Sequence, residues 1–251
     1  DFCEMSEPAN LDKNSSKPHP FLSFLKGLNE TAFYERSRFR QARQWLSGEP
    51  IRQKPRGYDH YVEHHWAHAA ASYYTRPARW YQEPVCVVID AIGEFDTASI
   101  WFHKKKVWSQ QYPVSLGLFY SAITKYLGFK PNRDEHLTMA LAGMNDKKQG
   151  FDTAFAMLRE KVQAGTNFHK GLDAETVALL NYYTSETVAS AAQRVLEEEV
   201  LKIMSIARKY SPNLCYGGGV ALNCVANAKI VPHFDDIWIF PNPGDAGAAL
   251  G

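Results

Sequence analysis

The chain has 251 residues, of which 45% are hydrophobic, 13% aromatic and 22% charged, the make-up of an ordinary globular protein with room for one large or two small domains. A formal net charge of +1 provides no overall field to draw it to nucleic acid or to an anionic membrane. No apolar run approaches the roughly 20 residues of a membrane helix, and the opening Asp1-Phe2-Cys3-Glu4 carries no secretory signal.

Residues 1–20 are polar and contain Pro18, which reads as a loop. Helical spacing of Phe21, Phe24, Leu25 and Leu28, then Phe33, Phe39 and Trp45, marks residues 21–48, with Arg36, Arg38, Arg40 and Arg43 as a solvated face. After a loop to Tyr58, a third helix is expected over Val62–Tyr74, ending before Pro77. Val85–Ile89 is a continuous β-branched run, the pattern of a strand buried on both faces. Thr97–His103 and Val107–Tyr112 read as shorter strands joined by a turn at Lys104-Lys105-Lys106. Helices are expected over Leu116–Leu127, His136–Gly143, Phe151–Gln163 and Thr184–Tyr210, the last with an apolar stripe from Val188 to Ala207. A strand (Asn213–Tyr216), a glycine-rich turn, a helix (Val220–Ile230) and a strand (Asp236–Phe240) finish an α/β pattern with a helical insertion over about 116–210. Cys3, Cys86, Cys215 and Cys224 stand far apart without a CxxC pair, which favours a reducing, cytoplasmic setting. With no initiator Met and an end one turn into a helix at Gly251, the chain reads as a fragment of a longer protein.

Four segments could carry chemistry. In His60-Tyr-Val-Glu-His64-His65-Trp-Ala-His68, the i,i+4 pair His64 and His68 shares one helix face and can reach one metal ion, whereas His65 points about 100° away. No Glu stands at position 65, which speaks against an HExxH metalloprotease. A His-rich helix with no ligand is the plain alternative. Asp90-Ala-Ile-Gly93-Glu94 follows the buried strand, where a carboxylate meets the ligand crevice of an α/β sheet or simply caps a turn. Gly217-Gly218-Gly219 between a strand and a helix lets backbone approach a ligand closely, yet it is neither a Walker A loop nor GxGxxG. Asp245, in Pro243-Gly-Asp-Ala-Gly247, is read from its own segment as an N-cap before a metal ligand.

Together with Ser115-Leu-Gly117-Leu-Phe-Tyr120, these segments resemble the O-carbamoyltransferases of nodulation-factor and antibiotic biosynthesis, whose catalytic domain is related to the threonylcarbamoyl-transfer proteins of tRNA modification. The motifs His64-His-Trp-Ala-His68, Val88-Ile-Asp90-Ala-Ile-Gly93-Glu94, Gly217-Gly-Gly219-Val-Ala-Leu-Asn223 and Pro243-Gly-Asp245-Ala-Gly247 occur in the family's order. The resemblance implies an actin/Hsp70-like ATPase fold of ribonuclease H-like lobes, truncated at both ends. Residues 1–59 would then be a helical and loop segment of the first lobe, and 60–251 a catalytic core incomplete at its C-terminus. It implies His64, His68, Asp90 and Asp245 as ligands of a metal, iron(II) in the family, and Gly217, Gly218, Gly219 and Asn223 as the wall on the adenosine side. ATP and carbamoyl phosphate would form carbamoyl adenylate in a further domain. This domain would pass the carbamoyl group to a hydroxyl of a small acceptor, with Glu94 or His65 orienting the hydroxyl or taking its proton; the fragment by itself is expected to be inactive. Two positions depart from the family pattern: Leu137 stands where many members carry Lys, and Ala91 where Gly is usual. They support a rival reading as an inert nucleotide-binding module with a regulatory or scaffold role. The lack of a basic stripe counts against the other rival, threonylcarbamoyl transfer to tRNA.

Overall fold

A computed structural model describes residues 62–80, 82–144 and 150–251. The expected helix at 21–48, the flanking loops and His60 lie outside these residues. His64–Gly251 forms a compact unit.

The first helix, α1 (His64–Thr75), starts two residues after its expected beginning. Strand β1 (Val85–Ile89) is buried along its whole length, as its unbroken apolar run requires. Strands β2 (Asp96–Phe102) and β3 (Lys105–Gln111) form a hairpin. Its turn is tighter than the three lysines suggest, because His103 and Lys104 take positive φ of 49° and 61°. That is the two-residue geometry matching strand twist, so Lys105 and Lys106 belong to the edge strand instead.

Five helices follow: α2 (Leu116–Tyr126), α3 (Glu135–Ala142), α4 (Phe151–Gln163), α5 (Ala174–Leu180) and α6 (Ser185–Ala207). They fill the insertion expected between the third and fourth strands. Sequence reading misses α5, whose seven residues are too few to establish a period; Asp173 caps it by accepting from the Thr176 N–H. Thr184 caps α6 in the same way at Thr187.

The chain returns as β4 (Asn213–Gly217), a 3-10 turn (Gly219–Leu222), α7 (Cys224–Ile230), β5 (Asp236–Ile239) and α8 (Asp245–Ala248). The continuous helix expected over Val220–Ile230 is interrupted at Asn223, whose side chain accepts from the Ala226 N–H and starts α7 afresh. The sheet order is β3-β2-β1-β4-β5; β1–β2 and β2–β3 are antiparallel, β1–β4 and β4–β5 parallel. One face packs on α1 through Cys86, Val88, Trp101 and Cys215 with Ala69 and Tyr73. Val85, Val87 and Ile89 alternate to the other face, where α6 lies against β1. Among the described residues no helix is long and apolar enough to cross a membrane.

Candidate metal centre

Helical spacing, a strand end and a helix start bring four side chains to one point. His64 and His68 lie one turn apart on α1, Asp90 follows β1 directly, and Asp245 opens α8. One atom of each lies within 4.8 Å of every other. His68 Nε2 is 3.0 Å from Asp90 Oδ2, 3.1 Å from Asp245 Oδ1 and 3.2 Å from His64 Nε2. His64 Nε2 is 3.4 Å from Asp90 Oδ2 and 3.5 Å from Asp245 Oδ1. A single N–H on either imidazole cannot serve all these partners. Ligand atoms held about 2.0–2.2 Å from one ion at right or tetrahedral angles lie about 2.8–3.6 Å apart. The five distances fall in that range, so the group could hold a metal, and its donor chemistry fits a divalent ion. Side-chain exposure runs from 1% at His68 and 10% at Asp90 to 22% at His64 and 35% at Asp245, so the cluster is walled on one side and open on the other. The N-cap of α8 is Gly244, not Asp245; the Asp245 carboxylate turns to the histidines instead.

Burial opposes the charge on Asp90, but hydrogen bonds and positive charge from His64 and His68 outweigh it and hold its pKa well below the ordinary carboxylate value. Asp90 Oδ1 accepts from the Ala91 N–H at 2.7 Å, which leaves Oδ2 for the histidines. Two residues that sequence reading did not assign to the site fix this loop. Ser115 caps α2 at the Leu118 N–H and donates its hydroxyl to the Ala91 carbonyl at 2.6 Å. Gly117 lies so near that a Cβ there would stand 2.5 Å from Ala91 N and 2.7 Å from the Asp90 carbonyl carbon. Both belong to the Ser115-Leu-Gly117 motif, which was the only trace of this role in the sequence.

Glu94 and His65 are separated by the fold. Glu94 is half-buried and accepts from the His64 N–H at 3.1 Å, holding the first turn of α1. His65 is fully buried, with Nδ1 2.8 Å from Ser99 Oγ on β2 and no hydrogen-bond partner for Nε2 among the described residues. Burial lowers its pKa to about 3, so the ring is neutral.

Two of the three glycines meet this chain's own backbone, and the third meets the Asp90 carboxylate. A Cβ on Gly217 would lie 3.1 Å from the His68 carbonyl oxygen, and one on Gly219 would lie 3.0 Å from Asp90 Oδ1. At Gly218, φ is +91° and a Cβ would stand 2.3 Å from the Ile89 carbonyl oxygen. Close packing on α1 and on the end of β1 calls for glycine here, alongside the ligand contact expected from the sequence. Leu137 is exposed on α3.

Asn223 stands beyond the glycines in a buried amide network. Gln193 on α6 donates to Asn223 Oδ1 at 3.1 Å and to Glu197 Oε1 at 3.0 Å. Its own carbonyl oxygen accepts from Asn223 Nδ2 at 2.9 Å and from the Tyr120 hydroxyl at 2.8 Å. Gln193 and Glu197 also line a cavity of about 960 Å³ with Met139, Phe151, Phe155 and Val225.

A family model described as carbamoyltransferase N-terminus matches residues 28–251. An uncharacterized protein of Synechocystis, sll1178, is 33% identical over 218 residues, covering 75% of this chain and 35% of its own length. The nodulation protein NolO of Bradyrhizobium diazoefficiens is 31% identical over 209 residues, 76% of this chain and 37% of its own. The nodulation protein NolNO of Sinorhizobium fredii is 24% identical over 208 residues, again 76% of this chain and 30% of its own. The chain thus spans about a third of the length of these relatives.

Proposed function

The chain belongs to the carbamoyltransferase family through the N-terminal domain of that family, and on that premise we propose that it catalyses transfer of a carbamoyl group from carbamoyl adenylate to a hydroxyl of a small acceptor. Family membership implies a carbamoyl donor and an acceptor. The observation that carries the finer reading is the convergence of His64, His68, Asp90 and Asp245 on one point. These four would hold a divalent metal, iron(II) by resemblance to the family. When bound, such an ion supplies a Lewis acid for phosphate and carbonyl oxygens. We place the active site at this cluster, within an actin/Hsp70-like lobe whose antiparallel meander continues into parallel strands. The domain proposal is a catalytic core over 60–251, with carbamoyl adenylate made from carbamoyl phosphate and ATP elsewhere in the whole protein.

In this reaction the acceptor oxygen bonds to the carbamoyl carbon, the carbon–oxygen bond to phosphate breaks, and AMP leaves. The acceptor hydroxyl must lose its proton to a base. Of the two candidates, Glu94 suits that role, because its carboxylate is half-buried beside α1 while the His65 ring is sealed against β2. His65 then acts by packing, holding α1 on the sheet. The cavity beside Asn223 suits the nucleoside end of the donor, since aromatic Phe151 and Phe155 line it together with the carboxylate Glu197, which would repel phosphates. The phosphate end would lie at the open side of the four-residue cluster.

Incubated with carbamoyl adenylate, the whole protein of which this chain is a part is expected to release AMP faster than buffer does, and faster still with a hydroxylated sugar. Release at the buffer rate across a panel of sugars would contradict the proposal. Glu94→Gln keeps the side chain's shape but removes the base, and should lower kcat about 10²–10⁴-fold with AMP still bound. An unchanged kcat would remove Glu94 from the chemistry.

A further inference from the structure

We infer that Glu197 selects the base of the donor: its free carboxylate oxygen accepts a hydrogen bond from an exocyclic amine at the inner end of the cavity, which favours an amino-purine over an oxo-purine. This role rests on the nucleoside lying in that cavity. Glu197 is only 7% exposed, yet one of its two oxygens is unsatisfied. Oε1 accepts from Gln193 Nε2 at 3.0 Å, whereas Oε2 has no hydrogen-bond partner among the described residues and opens to the cavity that Glu197 lines. A carboxylate accepts and does not donate, so the missing partner is a donor. Leaving a nearly buried acceptor without one is costly, and an N–H of a ligand would restore the bond.

Charge and shape narrow the ligand further. Asp152, Glu197 and Glu198 line the cavity, and the one guanidinium among the lining residues, Arg194, is paired with Glu198 at 3.0 Å. That balance repels phosphate and favours N–H donors. The rings of Phe151 and Phe155 stand parallel, within 1° and 6.0 Å between centroids, as an apolar wall for a flat base. Depth follows from the direction of α6. Val85 pairs with Leu214, so β4 begins at the end of the sheet opposite Asp90, and α6, ending at Ala207 shortly before β4, descends away from the four-residue cluster. Glu197 stands one turn beyond Gln193 on that descent, about 6 Å further from the cluster. A nucleoside with its phosphate toward the cluster therefore brings its base, not its ribose, to Glu197.

The test uses the whole protein of which this chain is a part. AMP, IMP and purine riboside 5′-monophosphate, which is AMP without its amino group, are compared as competitive inhibitors of transfer from carbamoyl adenylate. In the unmodified protein AMP should inhibit about tenfold more tightly than either analogue, the worth of one hydrogen bond to a carboxylate. Glu197→Gln is the diagnostic variant. The Gln193 oxygen is held by the Tyr120 hydroxyl, so its nitrogen still faces position 197; the introduced amide must give it oxygen and turn its own nitrogen into the cavity. AMP should then lose its margin, and IMP, with a carbonyl in place of the amine, should inhibit at least as tightly as AMP. Glu197→Asp keeps the carboxylate but withdraws it by one methylene; it should cut the margin to about threefold or less, and it serves if the first variant does not fold. Equal inhibition by AMP and the analogue lacking the amine in the unmodified protein, or a margin that survives in the variants, would overturn the role of Glu197 and leave the nucleoside in the cavity. Unchanged inhibition by AMP in Phe155→Ala would instead remove the nucleoside from the cavity and the inference with it.

Discussion

Replacing His68 by Ala is expected to strip the protein of its metal and of its transferase activity together. His68 is the hub of the cluster: its Nε2 lies 3.0–3.2 Å from a ligand atom of each of the other three residues. Its position is tightly built. The His68 carbonyl accepts from the Ser72 hydroxyl at 3.2 Å, and the ring is almost sealed from water. Removing a hydrogen-bond partner of a metal ligand usually costs about 10–100-fold in affinity, so loss of a ligand itself should cost at least about a hundredfold. Elemental analysis after gel filtration should find near-stoichiometric metal in the unmodified protein and almost none in His68→Ala. His65→Ala makes the discriminating comparison, because His65 is the adjacent imidazole but faces β2 and Ser99. Its loss leaves a cavity and destabilises the fold while sparing the metal in whatever protein remains folded. Equal metal loss in both variants, at matched folded fractions, would overturn the assignment of ligands.

Gly117→Ala should damage the same site from outside it. The added Cβ would meet Ala91 N at 2.5 Å, Ala91 Cα at 2.6 Å and the Asp90 carbonyl carbon at 2.7 Å. These are backbone atoms and cannot rotate aside, so either α2 or the Asp90 loop must move. Overpacking of this kind costs about 1–3 kcal/mol, a fall in thermal midpoint of roughly 2–12 °C for a chain of this size. Movement of the Asp90 loop should also weaken metal binding, which separates this effect from simple loss of stability. Gly143→Ala is the natural control, since its new Cβ would meet the Ala140 carbonyl oxygen at 3.3 Å and its backbone is already right-handed helical. That variant should keep its metal, and its thermal midpoint should hold or rise by up to about 4 °C. Full metal retention in Gly117→Ala would show that the Ser115–Gly117 turn does not set the position of Asp90.

Legibility from sequence followed the length and regularity of each element. The run Val85–Ile89 and the helix Phe151–Gln163 match their expected bounds, because burial on both faces and a full helical period leave strong patterns. The i,i+4 spacing of His64 and His68 places both imidazoles on one face by helix geometry alone. Asp245 was not legible in that way. Its own segment read as a cap, and only the ordered motifs pointed to the histidines, since the contact spans 177 positions. Gln193 left no signal at all: a glutamine inside a long amphipathic helix looks like a surface residue until Tyr120 and Asn223 are placed around it. The glycine run was visible, but its close approach to β1 and α1 was not. A sequence cannot show that the Ile89 carbonyl and the His68 backbone occupy the space where side chains would go.

The most direct test is AMP release from carbamoyl adenylate by the whole protein that contains this chain before chelation, after it, and after return of one equivalent of ferrous iron. Activity should vanish with the metal, return with a single equivalent in the unmodified protein, and fail to return in His68→Ala. Undiminished AMP release by the stripped protein, with metal absent by elemental analysis, would contradict a metal centre at His64, His68, Asp90 and Asp245 as the site of transfer.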